Sequence, residues 1–186
     1  MRAKRPSLLR GIITGATAGI AATLIMDQFF KLTSASQKAI EKQMKLAQGE
    51  SPWQIAHEQA QQEQKAAQQE DSTEIVARKI AAATGKTLGK EQKKTAGRVV
   101  HYSFGTLMGI VYGISAELVP DVTTAAGTAY GTLLFLGADE VAVPALRLSP
   151  KPAADTPATD HLQHWAAHVV YGGSLELVRS LVRRLL

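Results

Sequence analysis

Four stretches of this chain contain only uncharged residues, most of them apolar or small. They are 16, 18, 17 and 15 residues long and comprise Gly11–Met26, Val99–Ala116, Val122–Ala138 and His161–Leu175. A helix needs roughly 20 mainly apolar residues to cross the core of a bilayer. Each stretch reaches that length once one or two ionisable residues are included. The pattern therefore predicts four transmembrane helices, at about Leu8–Phe30, Val99–Val119, Val122–Leu146 and His161–Val182.

Two alternatives fit parts of the same pattern. Uninterrupted runs of 15 to 18 residues fall short of a full span, so a soluble bundle with unusually apolar helices is the first alternative. The basic start of the chain followed by an apolar run also fits a secretory signal. That run leads through Met26 and Asp27 into Phe30 without a clear small-x-small cleavage site. We therefore expect a first helix that is retained.

Glycines recur at every fourth residue in three of the predicted spans. At this spacing they line one face of a helix, so that a neighbouring backbone approaches closely and gains dispersion contacts. The alternative is that glycine is simply common in membrane helices. The sequence predicts an all-α membrane bundle of about four glycine-rich transmembrane helices. The packing glycines in this prediction are Gly11, Gly15, Gly19, Gly105, Gly109, Gly113, Gly127 and Gly131.

Most of the charge lies in a polar insertion between the first and second spans. Residues 31–98 carry 12 Lys and Arg and 8 Asp and Glu. The predicted organisation is therefore a basic N-terminus with the first helix over 1–30, this Gln- and Lys-rich insertion, and a three-helix membrane region with a basic C-terminus over 99–186. No aromatic residues interleave with the lysines that precede the second span, so we do not expect nucleic-acid binding. These lysines are placed to contact anionic lipid headgroups, but we favour a solvated helical hood, and the lipid bilayer is the expected partner of the spans.

Local signals divide the insertion into helices. Ser51 followed by Pro52 and Gln54 predicts a helix start with a capping box. A second start is predicted at 71–74. After it, the apolar stripe of Val76, Ile80 and Ala83 predicts the buried face, and Gly85 predicts the end of the helix.

Charge and composition narrow the classes of function. The net charge is +5, and the absence of cysteine excludes disulfides, zinc ribbons and thiol nucleophiles. The Gly85-Lys86-Thr87 sequence lacks the first glycine of a phosphate-binding loop, because position 80 is isoleucine. We therefore expect no cofactor. Basic residues flank the first and last spans, and the positive-inside rule then predicts a cytoplasmic location for both termini.

The second half of the chain resembles the YagU-like inner-membrane protein family, a bacterial family of unknown function. The resemblance covers roughly residues 97–184 well and the first span weakly. It implies an integral protein of the cytoplasmic (inner) membrane with few helices and no assigned catalytic residues. It rests on His101, Phe104, Gly105, Gly109, Tyr112, Gly113, Ala116, Glu117, Pro120, Gly127, Gly131, Asp139, Glu140, Pro144, His168, Val170, Tyr171, Gly172, Glu176 and Arg179.

Ionisable residues inside the predicted spans form the candidate functional site. Charges at membrane depth are costly, about 2.5–3.5 kcal/mol each on insertion scales, so they usually face the bundle interior or a cavity. Asp27 is expected to pair with Lys31 four residues later. Asp139 and Glu140 are adjacent, about 100° apart on an α-helix, and we do not expect both to face the same groove. The candidate cluster is His101, Glu117, Asp139, Glu140, His164, His168 and Glu176.

Three functions remain open at this point. The first is a non-enzymatic role in envelope or stress physiology, as part of a homo-oligomer or with another membrane protein. The second is a proton or small-ion pathway through His101, Asp139, Glu140, His164 and His168. The third is a metal-dependent membrane enzyme, because His164 and His168 have the i, i+4 spacing by which two imidazoles grip one metal ion.

Overall fold

The computed structural model describes residues 7–149 and 156–186, and every regular element in these ranges is helical. The all-α prediction is therefore confirmed. The helices are α1 (Leu8–Ala47), α2 (Pro52–Gln68), α3 (Ser72–Ala83), α4 (Lys90–Leu118), α5 (Thr128–Phe135), α6 (Val143–Ala145) and α7 (Ala158–Leu185).

The first helix continues well beyond the predicted span. Ser7 caps its N-terminus by accepting a hydrogen bond from the backbone N–H of Arg10. After Gly19 neither proline nor glycine occurs until Gly49, which has a φ of 87°. The 40 residues of α1 extend about 60 Å at the usual helical rise, twice the thickness of a bilayer core. The first half of α1 lies in the bundle, and its polar second half carries α2.

Helices α2 and α3, here called the hood, start as predicted. Ser51 and Gln54 form the capping box, and Asp71 caps α3 by accepting from the N–H of Glu74. Ion pairs between Lys38 and Glu63 and between Lys45 and Glu58 attach α2 to the extension of α1. The predicted buried stripe of α3 is wrong. Ile75 and Ala77 are the buried residues, whereas Ile80 is 58% exposed, because α3 packs on α4 through its N-terminal half, where Gly97 lies against Glu74 and Thr73.

The four long segments of the bundle alternate in direction, and their side-by-side order is α4, α1, α7, α5. Helix α4 packs on α1, α1 on α7, and α7 on α5. Within the described part of the chain, α4 and α5 contact each other chiefly through side chains, such as the Tyr130 hydroxyl, which donates to the carbonyl of Met108 at 2.8 Å. The hood lies at the end of the bundle where α7 begins, here called the hood end.

The third predicted span differs from the structure. Residues 120–127 form an irregular segment in which Ala125, Ala126 and Gly127 have φ values of 57°, 50° and 80°. Left-handed backbone at two non-glycine residues interrupts a helix, so the regular helix starts only at Thr128. After α5 the chain makes a π-helical turn over Leu136–Ala142 and ends in α6. Asp139 and Glu140 therefore lie close to the hood end, not in the middle of a span.

Two of the described helices, α1 and α4, are long and apolar enough to cross a membrane. The core helix of a soluble protein can have the same length and composition. The broken α5–α6 segment and α7 do not reach this standard, so the prediction of four such helices is not confirmed.

In its first half, α1 turns mainly small and polar residues toward the bundle interior and aliphatic residues outward. Ala18, Ala22, Thr14 and Thr23 are at most 1% exposed. The large aliphatic residues of the same helix point outward, each at least 40% exposed: Leu8, Leu9, Ile12, Ile13, Ile20, Leu24 and Ile25. A water-soluble bundle places these two classes the other way round.

The two helical hairpins of the bundle, α1–α4 and α5–α7, repeat one sequence pattern that the sequence analysis missed. Val111–Leu118 and Val170–Leu177 both read Val-Tyr-Gly-x-Ser-x-Glu-Leu. In α1 two glycines four apart precede Asp27 by twelve and eight residues, and in α5 two glycines precede Asp139 by the same intervals. The hood is inserted in the first copy only, which hid the repeat.

Corresponding glycines make corresponding contacts in the two hairpins. A Cβ on Gly113 would lie 2.7 Å from the Cα of Gly15, and Gly172 packs equally closely against Gly127. One turn further along, Gly109 packs against Gly19, and Gly131 packs against the carbonyl of His168. Because real Cβ atoms do not approach backbone so closely, glycine is required for both hairpins to close.

Candidate functional site

The first ionisable group of the bundle lies between α1 and α4 near the hood end. His101 Nε2 is 3.1 Å from Asp27 Oδ1, and the Tyr102 hydroxyl donates to Asp27 Oδ2 at 2.7 Å. The predicted pairing of Asp27 with Lys31 is wrong, because two groups of α4 occupy both carboxylate oxygens. The backbone approach at the glycines of α1 and α4 brings these side chains within reach of Asp27.

The second group lies between the π-helical turn and α7. Glu140 Oε1 is 2.6 Å from His161 Nδ1, and Asp139 Oδ2 is 3.1 Å from His164 Nδ1 and 3.8 Å from His168 Nδ1. The expectation that the two adjacent carboxylates face different ways is wrong. Both acids face α7 from a π-helical turn, because they contact imidazoles about one helical turn apart, Glu140 that of His161 and Asp139 that of His164.

The third group lies near the end of the bundle remote from the hood. Glu176 accepts two hydrogen bonds from Arg179, at 2.7 and 2.8 Å, and a third from the Tyr112 hydroxyl at 2.9 Å. Glu117, whose side chain is fully buried, pairs with Arg183 of α7. Each glutamate of the repeated Val-Tyr-Gly-x-Ser-x-Glu-Leu pattern is thus neutralised by an arginine of α7.

The seven predicted site residues therefore divide among three places. Asp139, Glu140, His164 and His168 come together, and His161 joins them. His101 instead contacts Asp27, a residue that the sequence analysis had assigned to a simple ion pair. Glu117 and Glu176 lie about two helical turns or more from His168 along the bundle. The described residues contain no group of three or more His, Asp or Glu side chains arranged to hold a metal ion.

A lateral cleft of about 580 Å³ between α4 and α5 connects the two carboxylate–imidazole groups. His101 lines one side of it, and Asp139, His164 and His168 line the other. Its walls are mainly apolar, and its floor is formed by α1 and α7. On the hood side, two further pockets adjoin it. The one that shares His101 is mainly polar, and the one that shares Asp139 and His164 is mainly apolar but is also lined by acidic residues.

Outside the bundle, the hood holds one electrostatic junction. Glu70 Oε1 accepts from Lys93 of α4 at 2.6 Å, and its Oε2 accepts from Arg78 of α3 at 2.8 Å. Hydrogen bonds from Lys93 and then Arg78 hold the pKa of Glu70 below its usual range. The carboxylate stays ionised at neutral pH and links the hood to the start of α4.

These features define a class of protein: a small, all-helical bundle closed by glycine contacts, with two helices of membrane-crossing length and buried ionic pairs. The chain belongs to DUF1440, a family of proteins of unknown function, whose model matches residues 62–177. That match covers the hood from within α2, all of α4 and α5, and most of α7. No curated protein and no solved structure matches the chain.

Proposed function

We propose that this protein is a multi-pass protein of the bacterial cytoplasmic membrane, related to the YagU-like proteins, with a non-enzymatic role in the envelope. One observation carries the proposal: the bundle exposes most of its Leu side chains and buries polar or charged ones, among them Thr14, Thr23, Glu117 and Arg179. In water this arrangement would leave large apolar surfaces unprotected. In lipid it places aliphatic side chains on acyl chains and satisfies each buried charge inside the protein.

The outward aliphatic surface extends over all four segments of the bundle. Leu107 and Val111 of α4, Leu133 of α5 and Leu177 of α7 are each more than 40% exposed. Because lipid supplies no hydrophobic driving force between helices, they associate through close van der Waals packing of small residues at their interfaces. The shorter α5–α6 segment and the less apolar α7 would be supported by the two membrane-length helices on which the bundle is built.

A topology follows from the directions of the helices. Helix α1 begins and α7 ends at the end of the bundle remote from the hood, where Arg183 and Arg184 also lie. We place this end in the cytoplasm, in accordance with the positive-inside rule. The hood then faces the opposite side.

Alkaline carbonate washing of membranes tests the location. We expect the protein to stay in the membrane pellet and to require detergent for extraction. Recovery in the soluble fraction without detergent would contradict the proposal. Reporter fusions at Gln37, Lys90, Ser149 and Leu186 test the topology. The first three should report one side and Leu186 the other.

A proton or small-ion pathway is the second candidate function. The observation that favours it is the sequence of buried polar groups along α7, from His168 through Tyr171 to Glu176 and Arg179. Purified protein in liposomes would then carry a proton or cation flux that Asp139→Asn reduces and the hood variant Glu63→Gln leaves unchanged. Flux no greater than that of empty liposomes would eliminate this candidate.

A further inference from the structure

We propose that the lateral cleft between α4 and α5 binds a lipophilic cation, with the apolar part of the ligand between the two helices and its positive charge beside Asp139. The proposal rests on the membrane location proposed above, because the cleft opens through the aliphatic surface of the bundle. No chemistry of bond making or breaking is involved. The ligand class is an organic cation with a bulky apolar body.

The internal repeat explains why a cleft exists at this place. If the two hairpins were equivalent, the close contact of α1 with α7 would recur between α5 and α4. The repeat aligns Ala18 with Tyr130 and Ala22 with Leu134. Both alanines are fully buried in the core, with Ala167 and Tyr171 of α7 beside them. The larger side chains of α5 hold α4 at a distance, so the second interface stays open.

The shape and lining of the cleft suit a compact apolar body. Its volume of about 580 Å³ falls within the 300–1,000 Å³ typical of small-molecule sites. The apolar walls face each other across it, with Phe104 and Met108 on α4 and Leu133 and Leu134 on α5. Phe104 and Leu133 are 43% and 67% exposed, so the cleft opens sideways and needs no channel along the bundle.

The charge at the cleft favours a cation. None of the described residues that line it is a lysine or arginine, whereas Asp139 lies on its surface and Asp27 lies directly behind His101. The adjoining hood-side pocket at Asp139 adds Glu140 and Asp160 and contains no described lysine or arginine. The pocket at His101 contains two cationic side chains, Lys94 and Arg98, and four acidic ones.

Aromatic residues in the lining of the cleft add a second reason for a cation. Phe30, Phe104 and Tyr171 line the cleft together with the three histidines. The face of an aromatic ring attracts a cation, and the attraction is stronger in a desolvated site. An anionic amphiphile would gain no such attraction and would be repelled by Asp139.

The experiment compares two ions of almost the same shape and opposite charge, tetraphenylphosphonium and tetraphenylborate. Binding of each to the purified full-length protein in an uncharged detergent is measured by equilibrium dialysis, with empty micelles as the blank. We expect saturable binding of the phosphonium at one site per chain and no saturable binding of the borate. Equal binding of the two ions, or phosphonium uptake no greater than that of micelles, would overturn the proposal.

Two variants locate the site. Asp139→Asn removes the charge with little change of shape and should weaken phosphonium binding about tenfold, the equivalent of about 1.4 kcal/mol. Leu133→Trp fills the cleft from an exposed position and should weaken it at least as much, and this variant keeps the test valid if Asp139→Asn does not fold. Glu63→Gln, an exposed carboxylate of the hood, is the matched control and should bind as wild type does. Wild-type affinity in both cleft variants would contradict the assigned site.

The binding experiment and the membrane-washing experiment can fail separately. A protein that stays with carbonate-washed membranes and does not bind the phosphonium would retain the proposed location and lose the proposed ligand. A protein recovered in the soluble fraction would lose the location, whether or not the cleft binds the cation.

Discussion

The first and second hairpins of the bundle carry the same sequence pattern and use it differently. In α1–α4, glycines face glycines over three successive levels, from Gly11 with Gly113 to Gly19 with Gly105, and the two backbones stay close throughout. In α5–α7, close contact covers two levels at Gly127 and Gly131, after which the π-helical turn begins. The repeated pattern thus gives one fully closed hairpin and one that opens toward the hood end.

The difference shows how small substitutions within a repeat make a site. At the levels where α1 has Ala18 and Ala22, α5 has Tyr130 and Leu134. The alanines let α1 occupy the centre of the bundle beside α7, and the larger residues leave the cleft beside α4. The carboxylates Asp27 and Asp139 occur at the same position in both copies, but only Asp139 borders the cleft directly.

The largest effect is expected from a larger side chain at one of the close glycine contacts. Gly109→Leu should prevent the first hairpin from forming, because even a Cβ there would lie 2.6 Å from the Cα of Gly19. The cost should exceed the 1–3 kcal/mol typical of overpacking, because the obstruction is backbone rather than a side chain that can move. Thermal unfolding in detergent measures it.

Gly137→Leu is the control, because the space around Gly137 is open. Gly131→Leu extends the comparison to the second hairpin and should be equally damaging if the repeat is structural. If the Gly109→Leu protein has the same melting temperature as the wild type, α1 and α4 do not pack in this way.

The next largest difference between the two hairpins is expected at the repeated glutamates, Glu117 and Glu176. Glu176→Gln should cost about 3–5 kcal/mol, the range for breaking a buried ion pair, because it leaves Arg179 with only 7% of its side chain exposed. Glu117→Gln should cost clearly less, because Arg183 is 34% exposed and can reach water or headgroups. Detergent-phase melting of the two variants gives the ranking, and the reverse order would contradict the assigned partners.

A smaller effect is expected at the carboxylate–imidazole groups. His168→Leu removes a nearly buried imidazole that lies 3.8 Å from Asp139 and bonds the carbonyl of His164 at 2.9 Å. The carbonyl of His164 keeps its helical partner, so the expected cost is that of one lost side-chain hydrogen bond, about 0.5–1.5 kcal/mol, together with lost packing. His57→Leu in the exposed hood is the matched control. Equal melting of the two variants between pH 5 and 8 would show that His168 contributes nothing to the second hairpin.

The smallest effect concerns the hood, which only the first hairpin carries. The pKa of Glu70 is lowered by Lys93 and Arg78, so its contribution to stability is present above the pKa of the unfolded chain and is lost as the pH falls through the lowered value. The protection of the α3 amides relative to their intrinsic exchange rates should therefore fall as the pH drops below the usual range of a glutamate. Glu70→Gln should exchange faster already at neutral pH and lose the acid dependence. Glu63→Gln, whose carboxylate pairs only with Lys38 on the exposed side, should keep it.

The glycine spacing, the capped starts at Ser51 and Asp71 and the stop at Gly85 were readable from the sequence, because each depends on a few neighbouring residues. The partner of Asp27 could not be predicted in this way. Lys31 is close to it in the sequence, whereas His101 reaches it only after α4 has packed on α1. The repeat could have been found from the two Val-Tyr-Gly-x-Ser-x-Glu-Leu segments, which stand 59 residues apart. The 53 additional residues in the first copy concealed the matching intervals to Asp27 and Asp139.

By itself, the sequence determined that the chain is helical and which helix faces carry glycine, since helix periodicity and backbone access are local properties. Tertiary structure decided three further features. It delayed the helix of the third predicted span to Thr128, through left-handed backbone at Ala125 and Ala126. It turned Asp139 and Glu140 to the same side through a π-helical turn. It also kept α4 apart from α5. The large side chains of Tyr130 and Leu134 separate the two helices only once all four segments have packed together.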